Sequence, residues 1–312
     1  MPQNKSSFSN IELLDKLKEF KLKTNIYRED YYAASDGVRL AYYSFYKNRK
    51  QPGIIVFHGG GAHATAGYQF LAEQLFSKNG YNVYLFDLRG HGKSEGKRGD
   101  APQVDRVYQD IKEIIAHVRA VTDGRVYVIA HSSASGMLLN YFSWLEKNRD
   151  AAGDASGYIF ISPEFGYKSK TARKGRTEFA RIKLWVFVMA GMTNGRIGGN
   201  WYAVYFNYPP EVLASDPLLI DRITRNIAVA QTPDEPEKQF AGIRRPFAIF
   251  IGSNDELLDP GKVTAYADYP PLPIRQKSTA KILDGAGHLS AIWRSSDAVG
   301  AIIDHWRRDN PK

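Results

Sequence analysis

The sequence predicts an α/β fold: a mostly parallel central sheet with helices on both faces, and a helical insertion between two late strands. Three observations predict it. Short β-branched runs alternate with helix-period stretches along most of the chain. Those runs are continuously apolar, as strands covered on both faces must be. One of them, Val126 to Ile129, passes through a cluster of small residues straight into the helical pattern that starts at Met137.

The elements follow in order. Residues 9–20 place Ile11, Leu14, Leu17 and Phe20 on one side, an amphipathic helix with Ser9 or Asn10 as its cap. Tyr27–Ala34 and Val38–Lys47, joined by Ser-Asp-Gly, read as a hairpin. Gly53–Phe57 is a buried strand running into His58-Gly59-Gly60-Gly61, and a helix covers about 66–78. Asn82–Phe86 is the next strand. Val104–Val121 is a helix with Val107, Ile111, Ile114, Ile115 and Val118 on one side. The strand from Val126 leads into a helix reaching about Lys147. Tyr158–Ser162, Phe247–Gly252 and Ala280–Leu283 are strands, and Ala298–Arg307 is the closing helix.

Residues 164–243 break this alternation. The stretch is aromatic, basic and Gly-rich, and reads as a helical cap over the carboxyl ends of the strands, where open α/β sheets bind ligands. The expected organisation is an N-terminal helical extension (1–26), a core (27–163 and 244–312) and the cap (164–243).

Composition narrows the function. Hydrophobic residues make up 43% and aromatics 13%, which implies an ordered core. Cysteine is absent, which excludes disulfides, thiolate catalysis and Cys-based zinc sites and fits a reducing compartment. The first residues carry no apolar signal segment, and the longest apolar run, Leu184 to Met192, is far short of the roughly 20 residues that cross a bilayer. The expected location is cytoplasmic. A formal charge of +9 favours anionic surfaces or substrates, but no nucleic-acid motif accompanies it.

Chemistry concentrates on the turn after Val126–Ile129. A strand, a sharp turn and a helix make the setting of a nucleophile elbow, in which the residues two before and two after the nucleophile must be small. Ser132 has Ala130 and Ala134 at those places; Ser133 would have His131 at one of them, and Ser135 would have Met137. Ser132 is therefore the candidate nucleophile, and a capped helix start is the plain alternative.

A serine needs a base, an acid to orient the base, and donors for the oxyanion. Of the seven histidines, His288 stands in a Gly-flanked loop after the last strand and is the expected base. His305 and His117 fall in helices, while His58, His63 and His91 shape loops. Asp255 leaves the strand ending at Gly252 and is the expected acid; Glu256 is a rival, and Asp259 before Pro260 reads as a helix N-cap. The amides of Ser133 and Gly60 are the expected oxyanion donors.

Taken together, these pieces resemble the monoglyceride lipase and lysophospholipase branch of the α/β-hydrolases. The likeness rests on residues 50–165 and 245–290. His58 to Leu75 is similar to that family's oxyanion loop and following helix, and Asp87-Leu-Arg-Gly-His-Gly-Lys-Ser-Glu-Gly to its Gly-His-Gly-x-Ser-Glu-Gly signature. The alanines at 130 and 134 depart from Gly-x-Ser-x-Gly but stay small. The resemblance implies a Ser132–Asp255–His288 triad, no metal or organic cofactor, and an ester with an apolar acyl chain such as a monoacylglycerol or lysophospholipid. An aminopeptidase of the proline iminopeptidase kind and a non-catalytic binding protein are the alternatives.

Two features of the cap stay open on sequence. Lys168, Lys170, Arg173, Lys174, Arg176, Arg181 and Lys183 precede the apolar run from Leu184, which reads either as a segment touching anionic membrane through 168–192 or as a solvated loop before a buried helix. Trp201, Tyr202, Tyr205, Phe206 and Tyr208 line an acyl pocket or form the cap's own core. His131, Trp201 and Tyr205 are the candidates for substrate contact.

Overall fold

A computed structural model describes residues 27–176, 178–193 and 195–309. The helix expected over 9–20 lies outside the described residues.

The strands in chain order are β1 (Arg28–Ala33), β2 (Arg39–Phe45), β3 (Gly53–Phe57), β4 (Asn82–Phe86), β5 (Val126–His131), β6 (Gly157–Ile161), β7 (Ala180–Ile182), β8 (Tyr202–Phe206), β9 (Arg222–Thr224), β10 (Phe247–Gly252) and β11 (Thr279–Leu283). Eight of them form one sheet in the order β1-β2-β4-β3-β5-β6-β10-β11. The β1–β2 and β2–β4 pairings are antiparallel. Every other pairing in that sheet is parallel.

Side-chain alternation divides the core between the two faces. Ile55, Phe57, Val128 and Ile249 meet Val107, Ile111 and Ile115 of α2 (Val104–Val121) and Met137 and Leu138 of α3 (Ser133–Asn148), while α1 is Tyr68–Asn79 on the other side. There Ile54, Val56, Ile129 and Phe250 meet Leu71 and Leu75 of α1 and Ile303 and Trp306 of the closing helix, Ser296–Asp309. Burying each such side chain is worth about 1.5–3 kcal/mol, so the sheet is held firmly from both sides. Because β3, β5, β6, β10 and β11 run parallel, the loops leaving Phe57, His131, Ile161, Gly252 and Leu283 emerge at one edge.

The inserted stretch is helical as expected, with helices at Leu184–Gly191, Pro210–Ser215, Arg225–Gln231 and Pro236–Ala241, and it adds a feature the sequence did not signal: β7, β8 and β9 pair antiparallel into a three-stranded sheet. Strands of three to five residues are too short to show a period, and the alternation in Tyr-Ala-Val-Tyr-Phe was readable only as aromatic content. The apolar helix Leu184–Gly191 is not buried as a whole. Val186 and Ala190 are buried and Phe187 is half-buried, whereas Leu184 and Val188 are 70% and 65% exposed. Among the described residues no helix is long and apolar enough to cross a membrane.

Candidate active site

β5 ends at His131, α3 begins at Ser133, and Ser132 makes the turn between them with φ 53° and ψ −126°. A non-glycine residue in that region carries about 1–3 kcal/mol of strain, which the surroundings must hold in place. They do so through the backbone: Ser132 N–H donates to the Ile161 carbonyl at 3.1 Å, and its own carbonyl accepts from Ser135 at 2.9 Å and Glu164 at 3.1 Å. Ala130 and Ala134 are fully buried beside the turn, and the Ser135 hydroxyl donates to the Ala130 carbonyl at 3.2 Å.

The edge of the sheet brings three distant side chains together. Ser132 Oγ lies 3.0 Å from His288 Nε2, and His288 Nδ1 lies 2.9 Å from Asp255 Oδ2. Asp255 is also held by the amides of Leu257 at 3.0 Å and Leu258 at 2.9 Å. Burial alone would raise the Asp255 pKa, but the His288 charge and these hydrogen bonds outweigh it and hold the carboxyl down to about 2. Burial likewise opposes charging of His288, yet the Asp255 carboxylate, with Glu256 and Glu164 behind it, raises the ring's pKa above the ordinary value. In the neutral ring Nδ1–H donates to Asp255, leaving Nε2 to accept from the Ser132 hydroxyl. Glu256 accepts the His288 backbone N–H at 2.9 Å and Asp259 caps the next helix through Lys262 N–H, so the two other acids of this loop have separate uses.

His131 departs from its expected substrate contact. Its ring is buried, with Nδ1 2.8 Å from the Tyr68 hydroxyl and Nε2 3.2 Å from the His288 carbonyl. A carbonyl only accepts, so Nε2 carries the proton and Nδ1 accepts from Tyr68; burial holds the ring neutral, its pKa lowered to about 3. Tyr68 accepts in turn from Gly59 N–H at 2.9 Å. The chain Gly59–Tyr68–His131–His288 thus fixes the loop after β3 against the loop that carries the imidazole. Tyr68 was invisible in the sequence because its role is a tertiary contact inside a helix.

The glycine loop lies directly on the elbow. A Cβ on Gly59 would come within 2.9 Å of the Ser132 Cβ, so only glycine allows the approach. The insertion grips the same loop from above: the Tyr208 hydroxyl donates to the Gly60 carbonyl at 3.0 Å, and Ile220 N–H to the Gly61 carbonyl at 2.9 Å. Phe179, Phe206 and Tyr208 form an aromatic cluster there, with ring centroids 5.3–6.0 Å apart. Tyr205 leaves β8 on the face opposite Phe206, and its hydroxyl accepts from Lys183 Nζ at 2.9 Å. Trp201 is 42% exposed and packs on Trp185. The wall above the glycine loop is therefore Phe206 and Tyr208, in place of Trp201 and Tyr205.

The remaining histidines have other partners. His58 Nε2 accepts from Leu88 N–H at 3.0 Å, His63 Nε2 lies 2.7 Å from Asp216 of the insertion, His91 Nδ1 lies 2.9 Å from the Arg89 carbonyl, His117 packs on Tyr32, and His305 pairs with Asp309 at the surface. In the Asp87–Gly96 stretch, Asp87 binds the amides of Ala64 at 2.6 Å and Lys93 at 2.8 Å, and Arg89 pairs with Asp110 at 2.8 Å; the stretch braces the glycine loop. Glu164 follows β6 close to the triad, its carboxyl 3.6 Å from Arg176 of the insertion and its pKa pushed up by burial. Among the described residues no group of three or more His, Asp or Glu side chains could hold a metal ion.

A family model described as Serine aminopeptidase, S33 matches residues 49–290. The uncharacterized protein YnbC of Escherichia coli is 27% identical over 73% of this chain, which spans 38% of that protein's length. The monoglyceride lipase of Rattus norvegicus is 26% identical, covering 76% of this chain and 75% of the rat protein. Among solved structures, the Paleococcus ferrophilus monoacylglycerol lipase aligns over 86% of this chain and 99% of its own, with TM-score 0.60 and 21% identity. A soluble variant of the Saccharomyces cerevisiae monoglyceride lipase in complex with a substrate analog aligns over 91% of this chain and 97% of its own, with TM-score 0.65 and 17% identity.

Proposed function

Because the chain belongs to the Serine aminopeptidase, S33 family of α/β-hydrolases, we propose that it is a serine hydrolase that cleaves carboxylic esters with an apolar acyl chain, of the monoacylglycerol or lysophospholipid class. The observation that carries this reading is the hydrogen-bonded line Ser132 Oγ–His288–Asp255 at the elbow. Ser132 attacks the ester carbonyl while His288 Nε2 takes its proton. Asp255 holds the imidazole in the required tautomer and stabilises the imidazolium. The amides of Gly60 and Ser133 receive the oxyanion. His288 then protonates the leaving alcohol, and water releases the acyl group by the same route. The aromatic cluster of Phe179, Phe206 and Tyr208 supports an apolar chain beside the glycine loop.

The residues between β6 and β10 serve in this reading as a cap, and its exposed apolar helix beside Arg181 and Lys183 supports peripheral contact with anionic membrane through 168–192. A second reading, cleavage of an N-terminal residue from a peptide, needs a carboxylate free to bind the substrate amine. Glu164 stands near the triad but faces Arg176 at 3.6 Å, which favours the ester.

The test is a panel of p-nitrophenyl esters of increasing chain length set beside amino-acid p-nitroanilides. The expected result is turnover of esters, greatest for acyl chains longer than acetyl, and a fall of at least about 10³-fold in kcat for Ser132→Ala. Turnover of anilides alone would favour the aminopeptidase, and no turnover by folded protein would favour a binding protein.

A further inference from the structure

The side chain of Ser133 has no assigned part in the chemistry above, which uses only its amide. Its hydroxyl oxygen is nevertheless buried without a hydrogen-bond partner among the described residues. Buried hydroxyls normally find a partner, so an idle one next to a nucleophile calls for a cause. Helix capping does not supply it, since Ser132 occupies the N-cap and a side chain on the first helical residue has no preceding turn to bond. Nor is Ser133 a second nucleophile, because His288 Nε2 is engaged by Ser132. What the hydroxyl does face is the glycine loop: a Cβ on Gly60 would lie 3.3 Å from Ser133 Oγ and 3.0 Å from the Phe206 ring.

We propose that the Ser133 hydroxyl is a third donor to the oxyanion, beside the backbone amides of Gly60 and Ser133; this rests on the serine-hydrolase reading. When Ser132 Oγ bonds to the ester carbon, the carbonyl π pair moves onto oxygen, and Ser133 Oγ–H donates a hydrogen bond to that oxygen without giving up its proton. The neutral ester carbonyl is a weak acceptor and the alkoxide a strong one, so the contact strengthens in the transition state and acts on kcat. The N-terminus of α3 points its positive end at the same place.

The experiment uses the full chain and compares Ser133→Ala and Ser133→Thr with the unaltered protein. Steady-state kinetics on p-nitrophenyl butyrate are paired with inhibition by an alkyl trifluoromethyl ketone, whose adduct with Ser132 carries the oxyanion. The expected result for Ser133→Ala is a fall in kcat of about 10- to 100-fold, a KM within about twofold of the unaltered protein, and weakening of the ketone by the same factor as kcat/KM. Ser133→Thr, which keeps the hydroxyl, retains most of the activity. Unchanged kcat and ketone affinity in Ser133→Ala would overturn the proposal alone. So would equal impairment of both variants together with lowered Tm, which is the signature of packing. An unaltered protein that turns over no ester would overturn the hydrolase reading and this proposal with it.

Discussion

Three carboxylates surround the buried ring of His288, and the balance of their charge against burial decides the pH at which the ring can accept a proton. Asp255, Glu256 and Glu164 all favour the imidazolium, while burial opposes it. The net direction is upward. A general base works only when deprotonated, so kcat/KM should climb with pH through an acidic limb lying above the ordinary histidine value of about 6.5. Glu256→Gln keeps an oxygen to accept the His288 backbone N–H but removes one negative charge, so the limb should move to lower pH while the plateau changes little. A limb that stays in place, or moves up, in a kcat/KM–pH profile would contradict this assignment of the charges. Residues 132, 255 and 288 were legible as candidates because each follows a β-branched run and has few rivals of its type. The contacts of Tyr68, Glu164 and Tyr208 were not, because nothing local marks a tyrosine or glutamate that acts on another loop.

At the scale of elements, several spans could be read to the residue. Asn82–Phe86, Val104–Val121 and Phe247–Gly252 coincide with the observed strands and helix, since long or continuously apolar runs carry a clear period. The insertion resisted reading because its pieces are short and held by tertiary contacts. The seven basic residues of its 168–183 stretch also divide in a way composition hides. Arg173 donates to the Ser253 and Leu258 carbonyls and Arg176 faces Glu164, so both serve the site's rim. Lys168, Lys170, Lys174, Arg181 and Lys183 are exposed, and Arg181 and Lys183 lead directly into the exposed Leu184, Trp185, Val188 and Met189. Such a helix should lie on anionic lipid, with each basic residue near the surface adding about 1 kcal/mol. Vesicles rich in phosphatidylglycerol should sediment with the protein at low salt and release it at high salt, and Leu184→Ser with Val188→Ser should weaken retention. Absence of retention at low salt would remove the membrane from the account.

Across the whole molecule, the parallel sheet gathers its loop ends at one edge, and the insertion is tied to that edge at several points. Tyr208 and Ile220 hold the glycine loop, His63 pairs with Asp216, and Asp100 binds Asn200 and Thr224. Rearrangement on substrate entry is therefore more costly there than at the Leu184–Gly191 helix, whose buried side chains are Val186 and Ala190. The elbow, the imidazole and the glycine loop are braced as one unit, which is what a covalent mechanism at Ser132 requires. Mass spectrometry after treatment with a fluorophosphonate tests that claim most directly. The expected result is a single adduct on Ser132, absent in Ser132→Ala and greatly slowed in His288→Ala. No adduct on the folded protein, or an adduct on Ser133 or Ser135 in its place, would contradict it.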